Sequence, residues 1–187
     1  MEILLPATLC IANIDETIKV CSQIREHDSV VLDAQHLRYA SPLGMAMLKS
    51  ALHSEHECRC NDIVWLATDK ASYLQRMDFF ADLQCPSVEL SNYGRRDQSA
   101  RLFELRQVTN DLDAEDVASS LAETMSKSIE AEAKYALTHQ HEEFDLELIC
   151  HPLKYLVSEL LLNATTHAKR NGRNRSTAWV SAQKDLN

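Results

Sequence analysis

Short apolar blocks and amphipathic stretches succeed one another through the first half of the chain. Ile3 to Ala12 reads as extended, and Asp15 to Glu26 as a helix turning Ile18, Cys21 (or Ser22) and Ile24 inward. S-V-V-L-D, from Ser29 to Asp33, reads as a buried strand. The next helix has a defined start: the Ser41 hydroxyl is suited to cap it, Pro42 fits its first position without losing a needed N–H, and Leu43 to His56 continue it. Asp62 to Ala67 follows as a strand, and a helix capped by Asp69 runs to about Ala81. After Pro86 comes a short strand, S-V-E-L, then a loop from Ser91 to Asp97 around Gly94. Strands and helices in this alternation predict an α/β layer fold.

Beyond the loop the pattern changes. Leu102, Leu105, Val108 and Leu112, then Val117, Leu121, Met125 and Ile129, recur at three or four residues, which predicts helix, with Asp113 or Asp116 beginning the second series. A helix from Pro152 to about Arg170 and a strand from Thr177 to Gln183 are the last strong elements. The expected division is a first domain over residues 1–95, a helical connecting segment over 96–112, and a second α/β domain over 113–187.

Composition narrows the classes. The 187 residues carry a formal net charge of -9, which disfavours nonspecific binding to nucleic acid or anionic lipid. The basic cluster Lys169, Arg170, Arg173 and Arg175 fits a helix end, where cations offset the dipole. The first residues show no basic region before their short apolar stretch, and no run approaches the ~18 apolar residues of a membrane span, so a cytoplasmic protein is expected. Six irregularly spaced cysteines fit reduced thiols better than a disulfide framework. His53, His56, Cys58 and Cys60 combine imidazole and thiolate, but their spacing is unlike that of structural zinc loops.

Candidate chemistry concentrates in L-V-S-E-L-L-L-N-A-T-T-H-A. On a helix Leu153, Val157, Leu160, Leu161 and Ala164 share one face, while Tyr155, Glu159, Asn163 and Thr166 share another. An acid and an amide one turn apart can orient a water and hold Mg²⁺ through the amide oxygen. A solvated polar face has the same pattern. S-E-L-L-L-N-A-T-T-H-A resembles the N box of the histidine kinase-like (GHKL) Bergerat-fold ATPases, which include the anti-sigma factor kinases. The resemblance implies Glu159 as general base, Asn163 as magnesium ligand and His167 near the phosphates, with ATP and Mg²⁺ as cofactors of a complete domain. Glycines occur only at Gly44, Gly94 and Gly172, and none forms the D-x-G-x-G adenine motif or a Gly-rich lid. By that resemblance the domain lacks its later half, and this chain binds no cofactor and is inactive as an ATPase alone.

V-V-L-D-A-Q-H-L-R-Y-A-S-P-L-G-M-A-M-L resembles the signature of STAS domains, the fold of anti-sigma factor antagonists, with Asp33, Gly44 and the following aliphatic helix in place. The family's phosphorylatable serine aligns with Pro42, which cannot be phosphorylated, and Ser41 is already accounted for as a cap. The resemblance covers roughly residues 1–95; within it Tyr73, Leu74, Met77, Phe79 and Phe80 read as core or interface. The two halves together resemble a STAS-like module fused to an anti-sigma-type ATPase domain. The expected function is regulation by protein contact, through Ser41, Pro42, Gly44, Met45 and Met47, with a protein partner or a homodimer, and with Trp179 near an open strand edge. The alternative is the N-terminal piece of an Mg-ATP-dependent ATPase or serine kinase.

Overall fold

A computed structural model describes residues 1–53, 63–67, 72–81, 83, 102–136, 145, 147–168 and 177–183. The chain divides into two compact units, Met1–Arg96 and Asp97–Asn187. Both mix helix and strand, so the α/β class holds.

In the first unit, β1 (Glu2–Leu4), β3 (Val30–Asp33) and β5 (Ile63–Leu66) form a parallel sheet in the order β1-β3-β5. Its register sets Leu4 beside Asp33 and Asp33 beside Leu66. Strand alternation then sends Ile3, Val30, Leu32, Ile63 and Trp65 into the core. Two further residue pairs join β2 (Thr8–Leu9) to β4 (Tyr39–Ala40), also in parallel. Helix α1 (Ile14–Glu26) buries Thr17, Val20, Cys21 and Ile24, while Ile18, expected inward, is exposed. Burial pushes the Cys21 thiol pKa up, against the opposing effect of Arg25, which keeps the group a protonated, inert thiol.

Helix α2 (Pro42–Leu52) is the most deeply embedded helix of this unit among the described residues, with Met45, Leu48, Lys49, Ala51 and Leu52 all buried. It ends at Leu52, where the His53 N–H reaches the Lys49 carbonyl, earlier than the expected His56. Helix α3 (Ser72–Arg76) is also shorter than expected. Phe79 N–H donates to the Leu74 carbonyl at 2.9 Å and Asp78 N–H to Gln75 at 3.1 Å, while Asp78 sits at φ 56°. This is a Schellman end with an aspartate in the left-handed position that glycine usually fills. Beyond it Phe79 and Phe80 turn into the core, each with its ring edge-on to Trp65, at centroid distances of 5.9 and 5.1 Å. Leu74, Met77, Phe79 and Phe80 are buried as expected, and half-buried Tyr73 stacks on Tyr39.

The second unit opens on a strand where helix was expected. β6 (Leu102–Val108) pairs antiparallel with β7 (Ala178–Gln183), so part of segment 96–112 belongs to a sheet and not to a helical connection. Helix α4 (Asp111–Ala136) starts earlier than Asp113 or Asp116. Asn110 accepts the Asp113 N–H at 3.0 Å, and the Asp113 carboxylate accepts the Thr109 hydroxyl (2.6 Å), the Thr109 N–H (3.0 Å) and the Asn110 amide (2.9 Å). These reciprocal bonds satisfy N–H groups that the first helical turn leaves open. Ala114, Val117, Ala118, Leu121 and Leu161 form the core with Phe103 and Val108, with Val157, Leu162 and Val180 packed against it. The small side chains at Ala114, Ala118 and Ala122 line one face of α4, whereas Met125, expected inward, is exposed. Helix α5 (Glu147–Ala168) begins before Pro152, which therefore lies within it; the Asp145 carboxylate accepts the Glu147 N–H at 3.0 Å near its start. No helix among the described residues is long and apolar enough to cross a membrane.

Two outcomes follow from this packing. A Cβ at Gly44 would stand 2.7 Å from the Leu9 carbonyl carbon and closer still to its oxygen, so two backbones must separate to admit it. Gly44→Ala is expected to lower stability by about 3 kcal/mol, the upper range of overpacking, in denaturant melts. The Asp113 pKa is held below 3.8, chiefly by the Thr109 hydroxyl and then the Thr109 N–H. A lowered folded value means that its contribution is complete above the unfolded carboxylate pKa and disappears as pH falls through the folded one. An NMR titration is expected to place the Asp113 midpoint below 3.8, and Asp113→Asn to flatten this part of the acid limb of stability.

Candidate functional site

The residues singled out in the sequence fall at two places, one in each unit. In the first unit, Ser41 precedes α2 in extended conformation, with φ -69° and ψ 163°, and its Oγ accepts the Gly44 N–H at 3.2 Å. The Ser41 N–H donates to the Leu9 carbonyl at 2.8 Å. Thus Ser41 is a helix cap tied to β2, and Pro42 occupies the first helical position.

Two residues proposed for a contact surface here lie in the interior. Met45 is 0% exposed, and Gly44 is buried with its α-carbon against the Leu9 backbone. Their burial follows from the tight seating of α2, which sends these two positions toward β2 and the core. Ser41, Pro42 and Met47 are partly accessible, and Leu43, not selected from the sequence, is 45% exposed.

Nearby, the Cys10 N–H donates to Asn13 Oδ1 at 3.0 Å, and the Asn13 amide donates to the Thr8 carbonyl. These bonds close the chain reversal between β2 and α1. They account for Thr8, Cys10 and Asn13 as turn residues, and the Cys10 thiol, 3.2 Å from Asn13 Oδ1, takes part in the same turn.

In the second unit, α5 carries Glu159 and Asn163 one turn apart, and both are exposed. His167 also lies in α5, but its side chain is outside the described residues. One carboxylate and one amide oxygen suit a hard divalent cation that keeps several waters and phosphate oxygens. Among the described residues they stand on an open helix face and supply part of such a site, so these two residues alone do not fit Mg-ATP.

The apolar side chains around this pair are distributed unexpectedly. Leu153, Val157 and Leu161 face inward as the helical spacing requires, with Thr165 buried and its hydroxyl donating to the Leu162 carbonyl at 3.1 Å. Leu160 and Ala164, expected on that face, are exposed. Leu160 is 61% accessible, Leu156 57%, Tyr155 71% and Leu148 73%. Together they form an apolar strip beside Glu159. The signal for it was present in the sequence: Leu148, Ile149, Leu153, Leu156, Val157, Leu160, Leu161 and Leu162 encircle the helix, more than one buried face can absorb.

The remaining candidates have less to support them. The basic cluster at 169–175 and the zinc candidates His56, Cys58 and Cys60 lie outside the described residues. No group of histidine, cysteine and acidic side chains among the described residues is arranged to hold a metal. Compared with family models, curated proteins and solved structures, the chain matches none.

The cap assignment has a direct consequence. Ser41→Ala is expected to cost about 1 kcal/mol in a denaturant melt, and Ser41→Asp clearly less, because aspartate also accepts the free N–H and suits the positive helix end. A Ser41→Asp variant less stable than Ser41→Ala would contradict the cap.

Proposed function

We propose that this chain acts by protein contact, as a regulatory STAS-like module coupled to the N-box part of a histidine kinase-like ATP-binding domain. The observation that carries the reading is the exposed apolar strip of α5, where Leu148, Tyr155, Leu156 and Leu160 stand 57 to 73% accessible beside Glu159. Contiguous apolar surface of this kind marks a place that another surface covers.

The pair Glu159 and Asn163 belongs to the same outward face. Carboxylate chemistry on a phosphate needs a preorganised, water-excluding environment. A carboxylate on an open helix face does not have one, and the chain contains no D-x-G-x-G sequence through which backbone amides would approach a nucleotide. The N-box resemblance is therefore read as placing Glu159 and Asn163 on a face used for contact.

Calorimetric titration of the chain with Mg-ATP decides between contact and catalysis. The expected result is no heat of binding at micromolar nucleotide. Saturable micromolar binding, lost in Asn163→Ala, would instead support the ATPase or serine kinase reading.

A further inference from the structure

We infer that a second copy of this chain docks on the outward face of α5, pairing the two helices antiparallel about a two-fold axis. The inference rests on the protein-contact reading above and names its partner. Leu148, Pro152, Leu156 and Leu160 follow one another at four-residue intervals and form a single ridge along the helix. All four are exposed, and Tyr155 widens the ridge on one side.

The ridge is self-complementary. A two-fold axis crossing it midway between Pro152 and Leu156 places Leu148 of one copy opposite Leu160 of the other, and Pro152 opposite Leu156. An isologous contact has this property: position i meets j, and j meets i. No charged residue occupies the ridge itself, so the pairing places no ionised group at its centre.

The size of the face also fits. Four large side chains at 57 to 73% exposure present on the order of 500 Å² of apolar surface, near the upper size of a monomer's largest patch. Pro152, exposed on the ridge, and His151, Glu159 and Asn163, exposed along its borders, bring the face toward the roughly 800 Å² per partner of a standard interface. An apolar ridge within a polar border is the anatomy of a protein contact.

Light scattering of the full chain over a concentration series up to about 1 mM tests the inference. The expected mass rises from one chain to two. Leu156→Glu with Leu160→Glu is expected to hold it at one chain with an unchanged melt, since both side chains are already in solvent. Leu112→Glu, at an exposed position on α4, is expected to dimerise like the parent.

Register is tested by charge exchange. Leu148→Lys or Leu160→Glu alone should weaken the dimer at least tenfold, and the two combined in one chain should restore much of it. A dimer that survives Leu156→Glu with Leu160→Glu would overturn the location, and a double variant weaker than either single one would overturn the two-fold register. A parent that stays monomeric throughout would overturn the second copy as partner, whereas micromolar Mg-ATP binding would overturn the underlying contact reading.

Discussion

The close approach of α2 to the Leu9 backbone is the constraint around which the first unit is arranged. Gly44 permits the approach because its missing Cβ would occupy the space of the Leu9 carbonyl. The Ser41 N–H fixes it with a 2.8 Å bond to that same carbonyl, and the Ser41 hydroxyl starts the helix at that point. With α2 seated so deeply, Lys49 is fully buried further along it, and its ammonium donates to the carbonyls of Phe79, at 2.6 Å, and Ala81. A buried ammonium is tolerated where hydrogen-bond acceptors replace its water. Here the acceptors are carbonyls just past the end of α3, so one helix ties the N-terminal strands to the aromatic cluster of Trp65, Phe79 and Phe80.

The second unit is organised by a different economy of surface. Alanines on α4 leave room for close packing, and the core of Phe103, Val108, Val117, Leu121 and Leu161 takes up one side of α5. That helix has more apolar side chains than the core can accommodate. The remainder, Leu148, Tyr155, Leu156 and Leu160, faces outward beside the acid and amide that first drew attention to the segment. Contact and candidate chemistry thus share one helix face, and a partner seated on the ridge would lie against Glu159.

Much of the first unit was legible because its signals are local. Ser41-Pro42 marks a helix start, S-V-V-L-D a buried strand, and the aliphatic run after Gly44 a helix. The early end of α3 was not, since aspartate and not glycine takes the left-handed position at residue 78. Leu102, Leu105 and Val108 have helical spacing, yet they lie on β6. A register shift between Phe103 and Arg106 inserts an extra residue into that strand and erases the two-residue period by which it would be recognised. Similarly, Pro152 suggested a helix start, but α5 continues through it. The inward face of α5 was half legible: periodicity identified Leu153, Val157 and Leu161, but could not say which of the surrounding leucines the core would leave outside.

The central claim is that the α5 ridge is a contact surface, and methyl NMR with a soluble paramagnetic probe tests it most directly. The methyls of Leu148, Leu156 and Leu160 are predicted to be strongly broadened by the probe in dilute protein and progressively protected as concentration rises, while those of Leu4 and Val64, exposed on the first unit's sheet, keep their broadening. Equal broadening of the α5 methyls at every concentration, or protection confined to Leu4 and Val64, would contradict the account.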